Sequence, residues 1–375
     1  MPEKKKLNKN IIAMLIILAL MAAANITAVL STPAADFYMR YIFAPVSDII
    51  SAVTGILPFS LGEILIALGI ILLIAAPIIL IIGAVKKKKK LLSGFGIFFG
   101  WVLIYIIVTE TLNCFVLYRT TEFSPKYHNS AGAAGFTLGQ LNELCEEVIL
   151  NANELSEQVS RDENGDMIVP DNLDEIAERA MNILGEEYTE LEGLYPKHKR
   201  INGAVMTSFD LQGVYFPFTL EANYNRALSP ARVPCTVMHE LSHLKGFIRE
   251  DEAGFIAYRA CLEAEEPEVR YSGYLSGMNY LLSACRRAFP SGEYERLCSL
   301  ISPQVFKDNT FVSEEYMEYI RQKAVIPTEK TQAVSAKAID VTLKVGGIPD
   351  GGQSYGRMVD LMLEYRYYIE DVNAQ

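Results

Sequence analysis

The stretch "HELSHLKGFIREDEAGF", His239–Phe255, sets two histidines four residues apart with a glutamate directly after the first. On a helix, positions i and i+4 share one face, so His239 and His243 can reach one ion together. Glu240 lies about 100° around the same helix, close enough to take a proton from a water on that ion. Zn2+ held by imidazoles lowers the pKa of a coordinated water to about 7, and a carboxylate accepts its proton as the water attacks a carbonyl. The chain has four histidines, and two of them fall in this stretch.

A catalytic zinc needs a third protein ligand and an open position. One familiar pattern places a third histidine six residues after the second. Here that residue is Arg249, which is no zinc ligand. Gly246 instead suits a left-handed residue that ends the first helix. A second helix opens at "EDEAGFIAYRAC" with three acids in its first turn. Glu250 shares its face with Ala253, Gly254, Ala257 and Cys261, small residues that let two helices approach closely. Glu252 shares its face with the bulky Phe255, Ile256 and Arg259. Glu250 is the favoured third ligand and Glu252 the alternative. Cys235, one turn before His239 and about 6 Å along the axis, reads as core.

Upstream the text changes character. Half of the 375 residues are hydrophobic, yet 21% are charged. Residues 1–118 carry a net charge of +5 and residues 119–375 a net of −16. The acidity of the second part argues against nucleic acid as its partner. Three uncharged runs, 10–35, 64–85 and 91–109, are each long enough for a membrane helix, since about 20 residues cross the hydrocarbon core. The expected helices are about 10–31, 64–85 and 91–112. Pro77 is tolerable in such a helix and predicts a kink. The first run is too long for a cleaved signal and lacks a convincing small-residue site, so it reads as an uncleaved anchor. Lys4, Lys5, Lys6 and Lys9, and then Lys86 to Lys90, place both basic clusters inside by the positive-inside rule. Three spans then leave the N-terminus inside and residues 119–375 outside. The amphipathic, aromatic segment 32–63 also lies outside and is expected to rest on the membrane surface.

Residues 1–118 thus read as a membrane anchor, 119–136 as a polar linker, and 137–375 as an outer domain. In that domain 137–159 and 172–188 have helical apolar spacing. Residues 199–225 are rich in Val, Tyr, Phe and Thr, with turns at Asn202-Gly203 and near Asp210–Gly213, and predict two or three short strands. The segment "GVYFPFTLEANYN" (213–225) is placed to be an edge strand that pairs with an extended substrate. From Val233 onward the pattern is helical. Asp162, Asn164, Gly165 and Asp166 read as a turn, because the spacing fails for a calcium loop. The six cysteines have no tight framework and are expected as buried free thiols. Cys285 and Cys298 are the pair most able to bridge. His128 and His198 are expected to be solvated. Tyr355 and Arg357, after a glycine-rich loop, are candidates to stabilise a developing oxyanion, with Tyr271 behind them.

The run "HELSHLKGFIREDEAGFIAY" resembles the segment found in a family of bacterial membrane proteins named for a domain of unknown function, number 3810. "LPFSLGEIL" (57–65), "GVYFPFTLEANYN", "YSGYL" (271–275) and "SYGRMVDLMLEY" (354–365) fit the same family. The resemblance implies three transmembrane helices plus a mainly α (α+β) gluzincin-like zinc metallopeptidase domain with a small β-sheet, in the bacterial cytoplasmic membrane. Zn2+ would sit on His239, His243 and Glu250, with Glu240 as general base and then acid, and the partners would be the membrane and a peptide or protein substrate. Gluzincins usually carry Asp or Asn four residues after the ligand Glu, and this chain has Gly254 there. That departure favours the alternative expectation, a zinc-binding sensor or interaction ectodomain without turnover.

Overall fold

The computed structural model describes residues 8–128, 135–324, 326–348 and 356–370. Among the described residues, three helices are long and apolar enough to cross a membrane: Lys9–Leu30, Leu61–Val85 and a run from Lys89 to Arg119. Their apolar side chains remain almost wholly uncovered by protein, a surface compatible with lipid. They touch one another through small or polar residues, as membrane helices do. A Cβ on Gly83 would meet Leu92, and one on Gly100 would meet Met14. Asn25 Nδ2 lies 3.3 Å from Thr111 Oγ1.

Beyond them lies a mainly helical unit with one sheet of three strands, β1 (Lys199–Ile201), β2 (Gly213–Phe216) and β3 (Glu221–Asn225). The order is β1-β3-β2, with β1 parallel and β2 antiparallel to β3. The expected strands are present, but a short helix, Gly203–Ser208, separates the first two, started by Asn202 Oδ1 accepting from the N–H groups of Ala204 and Val205. The turn near Asp210 is present, with Asp210 at φ 59°.

The centre of the unit is the histidine helix, Val233–Leu244, buried on nearly every side. Its Val237, Met238, Leu241 and Leu244 are almost wholly buried, while its polar Glu240 and His243 are buried at the cleft. The sheet covers one side, and the acidic helix, Glu250–Glu263, packs against another. Pro267–Ala288 packs on both helices and, most extensively, on Leu138–Ser156, while Leu173–Glu187 backs the acidic helix.

Segment 32–63, expected to rest on a membrane surface, packs against this unit. It forms helices Thr32–Tyr38 and Ala44–Gly55 and docks onto the unit, where Met39 and Phe43 are buried. Ser47 Oγ donates to the Leu244 carbonyl at 2.7 Å, and Lys245 Nζ lies 2.8 Å from Asp48. Its opposite side leaves Ile49, Val53 and Ile56 exposed. The stretch expected as a linker is also packed as far as His128: Phe123 is 1% exposed, and Thr120 and His128 are buried. His128 is therefore not solvated. Its Nδ1 lies 3.0 Å from Glu364 Oε2. His198 is paired too, with Nδ1 2.6 Å from Asp174. All six cysteines are free thiols, and Cys285 has Cys145 as its hydrogen-bonding neighbour rather than Cys298. Asp162 Oδ1 accepts from the N–H groups of Asn164 and Asp166 in the expected turn.

One buried carboxylate joins the sheet to the second span. Glu221 on β3 accepts from the N–H groups of Leu61 and Gly62 and from Thr219, and it pairs with Lys199 on β1. It thus takes up unsatisfied donors of the span's first turn. Burial opposes its charge, but Lys199, Thr219 and these N–H groups hold its pKa below the usual value. Removing one member of a buried pair costs about 3–5 kcal/mol. Lys199→Met is expected to lower stability by that amount in thermal unfolding of the detergent-solubilised protein. Unchanged stability would mean that the span N–H groups alone satisfy Glu221.

Candidate metal centre and cleft

The histidine helix ends as its sequence predicts. Gly246 is left-handed at φ 95°, and a Cβ there would fall 2.9 Å from Met39. The turn that follows is pinned from two sides. Buried Lys245 donates to the carbonyl of Leu194 at 3.1 Å and pairs with Asp48. Arg249, in the place of a third histidine, donates to the carbonyls of Tyr118 and Thr120. The acidic helix therefore starts beside the end of the histidine helix, and its first residue meets the imidazoles.

His239 Nε2 lies 3.1 Å from Glu250 Oε2, and His243 Nε2 lies 4.0 Å from Glu250 Oε1. All three donor atoms fall within 4.8 Å of one another. Tetrahedral zinc with bonds of about 2.0–2.1 Å places its ligand atoms about 3.3 Å apart, so these residues fit such an ion. His243 Nδ1 is 2.7 Å from the Phe247 carbonyl. That contact fixes Nδ1 as the protonated nitrogen and leaves the Nε2 lone pair facing Glu250. Glu252, the alternative ligand, is turned away: its Oε1 accepts from the Phe123 N–H at 2.9 Å and pairs with Arg249.

The electrostatics of the three groups are divided. Burial works against protonating His239, yet the Glu250 carboxylate on its Nε2 and nearby Glu240 raise its pKa to about 9. Burial and the charge on His239 lower His243 to about 4. Burial raises Glu240 to about 8, with Glu250 adding to the effect. Glu240 Oε2 is buried with no hydrogen-bond partner, while the backbone at Tyr215 favours the charged carboxylate. A Cβ on Gly213 would fall 2.3 Å from Glu240 Oε1. Only glycine lets β2 pass this close to Glu240.

The cluster opens into a cleft of about 1310 Å3. Its walls include β2, the third span's continuation at Glu110, Cys114 and Tyr118, and one side of the helix Thr328–Gly346. Cys235 is buried at its edge. Tyr355 lies outside the described residues. Arg357 does not line the cleft among the described residues, and its Nε donates to Asp251 at 2.8 Å. Tyr271 is fully buried and donates to Asp308 at 2.8 Å, so it is a core residue and not a cleft residue.

Sequence reasoning missed Tyr280, which lines the cleft from the helix Pro267–Ala288. Burial and the Glu250 carboxylate push its pKa up, so its hydroxyl keeps its proton. That hydroxyl lies 3.6 Å from where a Cβ on Gly254 would sit, and Met358 Sδ lies 3.0 Å from the same point. Met358 and Tyr280 take the space that a longer side chain at residue 254 would need. No local pattern marks Tyr280, because it reaches the site only through helix packing.

No curated protein and no solved structure matches the chain. A family described as "Protein of unknown function (DUF3810)" matches it over residues 38–363, from the segment after the first span through most of the final described helix. The chain belongs to the DUF3810 family.

Proposed function

We propose that the chain is a membrane-anchored zinc metallopeptidase that hydrolyses peptide bonds on the outer face of the cytoplasmic membrane. The observation that carries this reading is the approach of His239, His243 and Glu250 donor atoms to within 4.8 Å of one another beside a buried carboxylate oxygen, Glu240 Oε2, that has no hydrogen-bond partner. Pairing HExxH on one helix with a glutamate opening the next is the gluzincin arrangement. Zn2+ held by His239, His243 and Glu250 supplies Lewis acidity toward a carbonyl and makes water a nucleophile near neutral pH.

The chain's own groups do the rest. Glu240 takes the proton of the attacking water on Oε2 and delivers it to the leaving amine nitrogen. The backbone at Tyr215 favours the ionised form of that carboxylate. We assign the oxyanion donor, the role first expected of Tyr355 and Arg357, to Tyr280, because it lines the cleft and keeps its hydroxyl proton. The outer edge of β2 is free to pair with an extended substrate backbone, because β2 is the last strand of the sheet. Exposed Lys86 to Lys90, next to the Gly83–Leu92 contact at one end of the spans, support an outer position for the domain at the other end.

A zinc-binding ectodomain without turnover is the second reading, favoured by Met358 standing against Gly254, where gluzincins carry a carboxylate or amide. Glu240→Gln separates the two. The wild type is expected to cleave a mixed peptide library, and the variant to bind zinc equally with at least about 100-fold slower cleavage. Equal turnover would remove Glu240 from the chemistry, and no turnover from the wild type would favour the second reading. Gly213→Val is expected to abolish cleavage while zinc content and helical circular dichroism stay unchanged, since its side chain enters the space of Glu240. With His239 near 9, zinc entering at pH 7 displaces a proton, so affinity rises as pH increases towards 9. Calorimetric titration in buffers of different ionisation enthalpy is expected to show at least one proton released per zinc. Release of none would place zinc elsewhere.

A further inference from the structure

The cleft is level with the ends of the spans, and this bears on what enters it. Gly62 lies 21 residues before Gly83 in one helix, about 31 Å at 1.5 Å per residue. That equals the hydrocarbon thickness of a bilayer. Gly83 stands beside Leu92, close to the basic cluster. Gly62 therefore marks the opposite, outer boundary of the apolar layer. Glu110, which lines the cleft, lies 21 residues after Lys89 in the third span and reaches the same level.

β2 descends to that boundary. At its upper end Gly213 touches Glu240, and at its lower end Phe216 packs on Gly62, where a Cβ would lie 2.8 Å from the ring. Below it, the Phe218 carbonyl accepts from Tyr105 Oη and the Pro217 carbonyl from Asn113 Nδ2, both on the third helix run. Glu221 fixes the next strand to the start of the second span. The sheet is thus bolted to two spans, and three residues of β2, about 10 Å, separate Glu240 from the boundary.

The pairing pattern leaves the outer edge of β2 directed at the cleft. The carbonyls of Gln212 and Phe216 accept from Asn225 and Leu220. Even-numbered residues thus turn inward, and Gly213 and Tyr215 turn outward. The outward N–H and carbonyl groups of Gly213 and Tyr215 stand perpendicular to the strand and line the route from the boundary to Glu240.

From this geometry, and resting on the hydrolase reading only for the cut itself, we propose that the ligand is the juxtamembrane segment of a membrane-embedded polypeptide. It rises extended from the bilayer along the edge of β2 and meets Glu240 at its third to sixth residue above the lipid. A polypeptide that leaves the bilayer beside the third span enters the cleft without crossing open water. The distance from the lipid, more than side-chain identity, selects the bond.

The test uses the full chain in vesicles of phosphatidylethanolamine and phosphatidylglycerol. The probe is a synthetic single-span peptide with a twelve-residue outer tail carrying photo-leucine at each position in turn. The same tail without its span serves as the comparison. With Glu240→Gln, cross-links are expected at tail residues three to six and at least tenfold stronger than from the free tail. Wild-type cuts are expected in the same window, and inserting four residues next to the span should move the cut sequence without moving its distance from the span. Equal cross-linking of the free tail, cross-links scattered along the tail, or none in either arm would overturn the proposal. Cross-links in the window with an uncut wild-type substrate would sink the hydrolase reading alone. Cuts of free and anchored tails at equal rates would leave hydrolysis standing and remove the membrane-embedded ligand.

Discussion

Bringing a carboxylate against two imidazoles across a five-residue turn is the constraint on which the rest of the molecule depends. Glu250 reaches His239 only if the chain reverses immediately after Leu244. Gly246 makes that reversal by taking a left-handed conformation with Met39 against it. Lys245 and Arg249 then hold the turn from outside, each by burying a cation among carbonyls and a carboxylate. Buried cations without such partners would be strongly destabilising, so the turn and its surroundings stabilise each other.

Those surroundings are the segments next to the spans. Asp48 and Met39 come from the chain between the first and second spans, and Tyr118 and Thr120 follow the third. The turn between the histidine and acidic helices, the ends of the apolar helices and the sheet are therefore one connected construction. A domain merely tethered to an anchor would show no such contacts. Here one end of the third apolar helix run, at Glu110, Cys114 and Tyr118, forms part of the walls of the cleft, so the His239–Glu250 cluster and the apolar helices share one cavity.

Much of this was legible in the sequence, and the limits have physical causes. The spacing of His239 and His243 and the small-residue face of the acidic helix foretell that these imidazoles and Glu250 meet, because helical periodicity is local. The turn at Gly246 and the three apolar helices are local features as well. Tyr280, Met358 and the wall formed by Glu110, Cys114 and Tyr118 are brought to the site by packing between segments far apart in the chain, and nothing nearby in sequence announces them. His128 illustrates the reverse case. Its polar neighbours suggest solvent, yet Glu364, 236 residues away, lies 3.0 Å from its ring and helps keep it in the core. Segment 32–63 has an apolar side that suits a membrane, but only the fold reveals that Ser47 and Asp48 on its other side grip the metal turn.

The measurement that bears most directly on the central claim is X-ray absorption at the zinc edge of the purified full chain. The account predicts one zinc per chain with only nitrogen and oxygen neighbours at about 2.0–2.1 Å, two of them imidazole. A sulfur neighbour at about 2.3 Å, which Cys235 would supply, or a chain that retains no zinc would contradict it.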